Sequence, residues 1–188
     1  MVGRRVGEGR PGLSRPRLTG GRARGRVLGV VPPEGVRPTS ARVREAMFSM
    51  VGHDLDGLRV LDAFGGAGLL GLEAWSRGAE VTVVERDGRA LRAIRANADA
   101  LGAVLELVRA DVLAWAGGCE APFDLVLADP PYAEAVGPVV AALAPLVAGT
   151  LVLEQAASRP TPEVPGLVLD RRKEYGGTAL LLFDRRDG

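Results

Sequence analysis

The chain has one cysteine, one histidine and one lysine in 188 residues, and few aromatic side chains. A single cysteine excludes a disulfide framework, and with one histidine available no cluster has metal-ligand spacing. Cys119 and His53 have no partner in sequence that would make a nucleophile and its base, so both read as structural. The longest apolar runs fall far short of a membrane span, and no charged-then-apolar segment reads as a signal peptide. A cytoplasmic protein, with no membrane partner, is the expectation that remains. The length suits one domain with an appendage, and is enough for a sizeable core.

Lysine is scarce, but positive charge is concentrated. The net charge of +1 conceals eleven arginines against Glu8 and Glu34 in residues 1–44, a local balance of +9 that leaves −8 on the other 144 residues. A basic arm on an acidic body suits a polyanionic partner, and arginine is well shaped for phosphate. Residues 1–16 are rich in Gly, Pro, Arg and Ser, lack periodicity, and are expected to be a disordered basic tail. From Arg17 the pattern sharpens into Arg17-Leu18-Thr19-Gly20-Gly21-Arg22-Ala23-Arg24-Gly25-Arg26. Its glycines let backbone approach a polyanion while Arg22, Arg24 and Arg26 neutralise phosphates. Val27 to Val31 is expected as a short strand ended by Pro32-Pro33. Arg37-Pro38-Thr39-Ser40 then reads as the hydroxyl-capped entry to a helix with Val43, Met47 and Val51 on one face and Arg42 and Arg44 outside it.

The body alternates strands with helical segments. Leu58 to Phe64, Glu80 to Glu85, Val104 to Val108, the run before Asp129, and Thr150 to Leu153 read as strands. Between them lie a glycine loop with a helix ending near Gly78, a helix capped by Asp87 with Leu91, Ile94, Ala98 and Leu101 on one face, and a helix from Ala135 to Val147. Leu167 to Leu169 and Ala179 to Phe183 suit a closing hairpin turned at Tyr175-Gly176-Gly177. This alternation indicates an α/β fold, a parallel sheet with helices on both faces.

Phe123-Asp124-Leu125-Val126-Leu127-Ala128-Asp129-Pro130-Pro131-Tyr132 is the most informative stretch. Two prolines end the apolar strand, and the residue before a proline stays extended, so Asp129 is presented at the strand's carboxyl end. Ligands of open α/β sheets sit at that edge. Asp-Pro-Pro-Tyr resembles the signature of methyltransferases that act on exocyclic amines of bases. The chemistry suits the residues. An aromatic amine is a weak nucleophile because its lone pair is shared with the ring. A carboxylate (Asp129) and a proline carbonyl (Pro130) each accept one N–H, favouring a pyramidal nitrogen aimed at a methyl donor. Tyr132 stacks on the extruded base.

The glycine loop admits two readings. Gly66-Ala67-Gly68-Leu69-Leu70-Gly71 formally satisfies the dinucleotide fingerprint, with Glu85 near the ribose-binding position. Asp62, however, lies four residues before Gly66, and a fixed carboxylate repels a pyrophosphate but attracts a sulfonium. A cationic S-adenosylmethionine therefore suits the loop better than a dinucleotide.

Together, Arg17-x-x-Gly20-Gly21-x-x-Arg24-Gly25-Arg26, Arg37-Pro38-Thr39, Arg42-Val43-Arg44-Glu45, Asp62-x-Phe64-x-Gly66-x-Gly68, Gly71-Leu72-Glu73-Ala74 and Asp129-Pro130-Pro131-Tyr132 resemble the bacterial 16S ribosomal RNA guanine-N2 methyltransferase family of RsmD type, from residue 17 onward. The resemblance implies a Rossmann-like class I methyltransferase fold, a mostly parallel seven-stranded sheet with one antiparallel strand. It implies residues 17–52 as an N-terminal RNA-binding appendage of short hairpin plus helix, and 53–188 as the methyltransferase domain. Carried over by position, Glu85 would take the ribose hydroxyls of S-adenosylmethionine and Asp111 its adenine amine. Phe64, Gly66 and Gly68 would shape the loop against the methionine moiety, with Asp62 nearby. Asp129, Pro130 and Tyr132 would hold the guanine. Arg17, Arg24, Arg26 and Arg37 would meet phosphates of 16S ribosomal RNA, alone or within an assembling or assembled small subunit, with the protein acting as a monomer. Arg42 and Arg44 would meet either RNA or acids on the body, and Glu73 reads as structural. The family loop usually reads Phe-Ala-Gly-Ser-Gly. Ala67 here lacks the serine hydroxyl, a hydrogen bond worth about 1 kcal/mol. Competing readings are an adenine-N6 or cytosine-N4 methyltransferase of DNA or RNA, since the four-residue motif serves those amines too, and a non-catalytic RNA-binding ribosome-assembly factor. A nicotinamide-dependent oxidoreductase ranks last.

Overall fold

A computed structural model describes residues 15–30, 40–119 and 121–185. Residues 1–14 of the expected tail at 1–16, Arg37 and the Pro32-Pro33 stop lie outside them. In chain order the elements are α1 (Ala41–Val51), β1 (Arg59–Asp62), α2 (Leu69–Ser76), β2 (Glu80–Val84), α3 (Gly88–Leu101), β3 (Glu106–Val108), α4 (Val112–Ala116), β4 (Phe123–Ala128), α5 (Val136–Leu143), β5 (Val147–Ala156), β6 (Leu167–Tyr175) and β7 (Thr178–Arg185). One 3-10 turn, Ala144–Leu146, joins α5 to β5.

The seven strands lie in the order β3-β2-β1-β4-β5-β7-β6. β1 to β5 pair in parallel, while β7 is antiparallel to both β5 and β6 and is the single reversed strand. The order switches direction between β1 and β4, which opens a crevice at their carboxyl ends. Strands buried on both faces read as continuous apolar runs, and β1, β4 and β5 do so. Val60, Val83, Leu127, Val152 and Leu180 face α1, α2 and α3 in one apolar cluster. Leu61, Val84, Val126, Leu153 and Leu181 face α4 and α5 in a second.

Local chemistry sets the helix ends. Ser40 caps α1 through its hydroxyl, which accepts the Val43 N–H at 3.2 Å, and Asp87 caps α3 by accepting from Arg89. Pro138 is tolerated because it falls in the first turn of α5, where its missing N–H has no intrahelical partner. The expected helix to Val147 stops at Leu143, and the closing hairpin is longer than its apolar core because β6 extends through charged, largely exposed residues to Tyr175.

Two expectations about the arm are corrected. Val27 to Val31 does not form a strand among the described residues: Val27 makes one isolated bridge to Arg17, and Val30 instead pairs with Asn97, its N–H and carbonyl both bonded to the amide side chain. Arg44 is not outside the packed face of α1 but is buried, its Nε 3.5 Å from Glu73 Oε1 and its Nη2 donating to the Arg17 carbonyl at 2.8 Å. Glu73 also accepts from the Thr19 N–H at 2.7 Å and pairs with Arg77. One buried carboxylate therefore ties the arm, α1 and α2 together. Leu18, Ala23 and Leu28 of the arm are buried in the same cluster as those helices.

Candidate active site

Glu85, Phe64, Asp129 and Glu154 form one row across the carboxyl edge of the sheet. The strand pairs Asp62↔Val83, Asp62↔Leu127 and Ala128↔Leu153 run out towards these residues, and pairing of the β1 backbone continues through Ala63 and Gly65. All four line a cavity of about 820 Å³, together with Gly66, Ala67, Asp111, Pro130 and Tyr132. That volume lies within the usual range for ligand pockets and has room for more than one small group.

The glycine loop turns sharply out of β1. Gly66 and Gly68 have φ of 49° and 75°, in the left-handed region that L side chains avoid. A Cβ on Gly68 would sit 2.8 Å from Ile94 of α3, so this glycine lets the loop pack on the helix and does not itself line the cavity. The Gly66 N–H donates to Glu85 at 2.7 Å, and the other Glu85 oxygen accepts from the Asp87 N–H. Glu85 is thus fixed at the cavity wall by backbone donors. Asp111 caps α4 with one oxygen, while its second faces Arg86 at 3.8 Å. Arg86 also reaches Glu134 at 3.2 Å.

Asp62 lies beneath this surface. It is 1 % exposed, does not line the cavity, and accepts the Gly71 N–H in the first turn of α2 at 2.9 Å. Burial pushes its pKa up to about 7, with the charges of Asp129 and Glu85 adding and the N–H groups of Gly71 and Phe64 opposing.

On the other side of the cavity, Pro130 is buried and Tyr132 is 48 % exposed, its hydroxyl 3.4 Å from Thr178 Oγ1. Arg159 holds this segment from behind, with Nη1 donating to the Glu134 carbonyl at 2.8 Å and Nη2 to the Tyr132 carbonyl. Ser40 and Val43 of α1 and Tyr175 and Thr178 of the β6–β7 turn complete the wall. Sequence reading assigned no role to Arg159, and nothing local marks it. Glu154 does carry a local signal: like Glu85, it follows a buried apolar run at the sheet edge.

The lining fits a cation. Among the described residues Glu85, Asp87, Asp111, Asp129, Glu134 and Glu154 face it against Arg86, a set of carboxylates that attracts a sulfonium and repels a pyrophosphate. Among the described residues no group of acids, histidine or cysteine could hold a metal ion, and no helix is long and apolar enough to cross a membrane.

Three of the described arginines of the arm sit elsewhere. Arg22, Arg24 and Arg26 line a second cavity with Arg59, Trp75 and Phe123, at the amino ends of the strands. Phe123 and Asp129 are six residues apart along β4, which is about 20 Å. Arg22 stacks 4.2 Å over Trp75 and donates to its carbonyl, and Arg26 donates to the Ala100 carbonyl, so both also cap the carboxyl ends of α2 and α3. Arg17 donates to the Gly25 carbonyl within the arm.

Residues 16–184 match the model of the family described as conserved hypothetical protein 95. The chain is 34 % identical over 185 residues to YlbH of Bacillus subtilis, named as an rRNA methyltransferase, covering 90 % of this chain and 99 % of that one. It is 35 % identical over 123 residues to ribosomal RNA small subunit methyltransferase D of Escherichia coli, covering 64 % and 62 % of the two. Among solved structures it resembles yhhF of Escherichia coli, named as a methyltransferase, with a TM-score of 0.82 and 31 % identity over 92 % of this chain and 99 % of that one. A magnesium protoporphyrin IX methyltransferase from Synechocystis with bound S-adenosylmethionine shares the fold, with a TM-score of 0.61 and 19 % identity over 77 % and 79 %. By fold, cavity and match, this chain belongs to the conserved hypothetical protein 95 family, the RsmD-type rRNA methyltransferases.

Proposed function

We propose that the protein methylates the exocyclic N2 amine of a guanine in 16S ribosomal RNA, using S-adenosylmethionine, as a cytoplasmic monomer acting on the small subunit or its RNA. The observation that carries this reading is Asp129-Pro130-Pro131-Tyr132 on the wall of an acidic cavity that Glu85 and Asp111 also line. Glu85 takes the ribose hydroxyls and Asp111 the adenine amine, with Phe64 and the backbone of Gly65 and Gly66 beside the methionine moiety. Asp62 acts from below, fixing the start of α2 and so the loop above it.

S-adenosylmethionine, when bound, supplies a methyl group on a cationic sulfur that departs as a neutral thioether with the electrons of the broken bond. Asp129 and the Pro130 carbonyl each accept one N–H of the guanine amine and direct the nitrogen lone pair at that methyl carbon. Tyr132 holds the face of the base. Once methylated, the nitrogen is acidic and gives its extra proton to Asp129 or to water, so no strong base is required.

Purified protein, labelled S-adenosylmethionine and small-subunit rRNA or particles test this directly. Nucleoside mass spectrometry is expected to find N2-methylguanosine. Only N6-methyladenosine or N4-methylcytidine, or no methylated nucleoside, overturns it. Asp129→Ala is expected to lower turnover by about 10²–10³-fold. Cofactor affinity by calorimetry should stay within about threefold, because the lost contacts are to the base. Normal turnover at saturation with weakened cofactor binding would reverse the assignment of Asp129.

A further inference from the structure

The Asp-Pro-Pro-Tyr motif grips an amine but does not choose a base, because guanine, adenine and cytosine all carry one. Selection must come from a group that meets the atom next to that amine. The sheet edge carries such a group in Glu154. It ends a buried apolar run of β5, is only 6 % exposed, and lines the same cavity as Asp129, Pro130 and Tyr132. The register Ala128↔Leu153 makes Asp129 and Glu154 neighbours one step further out. Paired residues of adjacent parallel strands project to the same face, about 4.8 Å apart. On its other side Glu154 pairs with Leu180 of β7.

Ionised carboxylates accept hydrogen bonds and donate none. Two carboxyl groups held side by side repel, and a ligand edge made only of donors relieves both. Guanine has that edge, with N1–H directly beside its N2 amine. In adenine and cytosine the ring nitrogen beside the amine is an acceptor, which a buried carboxylate would oppose lone pair to lone pair. We propose that Glu154 accepts the N1–H of the target guanine while Asp129 and Pro130 hold N2, making Glu154 the residue that selects guanine. This inference rests on the guanine-N2 reading above.

The test uses small-subunit rRNA ligated around a synthetic segment, assembled into particles if free RNA is not a substrate. The mapped target position carries either guanosine or 2,6-diaminopurine riboside, which keeps the N2 amine but presents an acceptor at N1. Wild-type protein is expected to favour guanosine by 100-fold or more in kcat/KM, as a site built to bond a missing hydrogen rejects its analogue. In Glu154→Gln the amide can donate to N1 of diaminopurine, so the preference should narrow at least tenfold. A merely structural Glu154 would lower both substrates together and leave their ratio intact, which overturns the proposal. Wild-type protein that uses the two RNAs equally overturns it without any variant. If wild-type protein makes no N2-methylguanosine at all, the function proposed above fails and takes this inference with it. Guanine methylation with an unchanged ratio in Glu154→Gln sinks only the role of Glu154.

Discussion

Asp62 and Asp129 are aspartates at the ends of adjacent strands, and their surroundings separate them. Asp129 is partly exposed on the cavity wall, whereas Asp62 is sealed beneath the glycine loop with a pKa near 7. In the unfolded chain an aspartate titrates near 4, about three units lower. The folded state therefore holds the proton more tightly between about pH 4 and 7. Stability from this group is full below that window and is lost as pH rises through 7. Relative to the wild type, Asp62→Asn should gain on the order of a few kcal/mol between pH 4 and pH 8, measured by urea unfolding at each pH. A stability difference that is flat with pH would mean Asp62 is ionised in the fold throughout. Residue types and motif spacing made Asp62, Glu85, Asp111 and Asp129 recognisable. That Asp62 faces inward was not legible, because it depends on where α2 begins to accept it.

At the scale of elements, the strands and helices followed from apolar runs and caps, and departures came where side chains found distant partners. Val30 gives its backbone bonds to Asn97 of α3 instead of a neighbouring strand. Arg44 turns into the core because Glu73 of α2 is buried there to receive it. Glu73→Gln should cost about 3–5 kcal/mol, because Arg44 and Arg77 both lose the buried carboxylate they share. Denaturant midpoints of the variant measure this, and a loss under about 1 kcal/mol would show that the pair is solvated. Arg159 likewise ties β5's exit to the turn after β4, a link between segments 25 and 27 residues apart. Arg159→Ala should lower kcat about tenfold with cofactor affinity unchanged. Arg159→Lys should recover only part of it, since an ammonium cannot fork to both carbonyls. Equal loss of kcat and cofactor binding would make the residue a general support and not a positioner of the Asp-Pro-Pro-Tyr turn.

For the whole molecule, Arg22, Arg24 and Arg26 and the acidic cavity occupy opposite edges of one sheet. An RNA that meets both must reach about 20 Å around the side formed by α2 and α3. Replacing Arg24 and Arg26 by Gln should flatten the dependence of log affinity on log salt by about 0.7–0.9 per lost phosphate contact, leaving cofactor binding intact. An unchanged slope in a salt titration would show that these arginines do not meet phosphates.

The amino-acid order alone determined the alternation that makes a parallel α/β sheet, the proline stop that exposes Asp129, and the glycine loop, because each depends on neighbours within a few residues. Tertiary structure decided which acids line the cavity and which lie below it, that Glu154 stands beside Asp129, and that Arg22, Arg24 and Arg26 lie at the far edge. Those outcomes turn on strand register and on contacts between segments far apart in the chain, which no local pattern encodes.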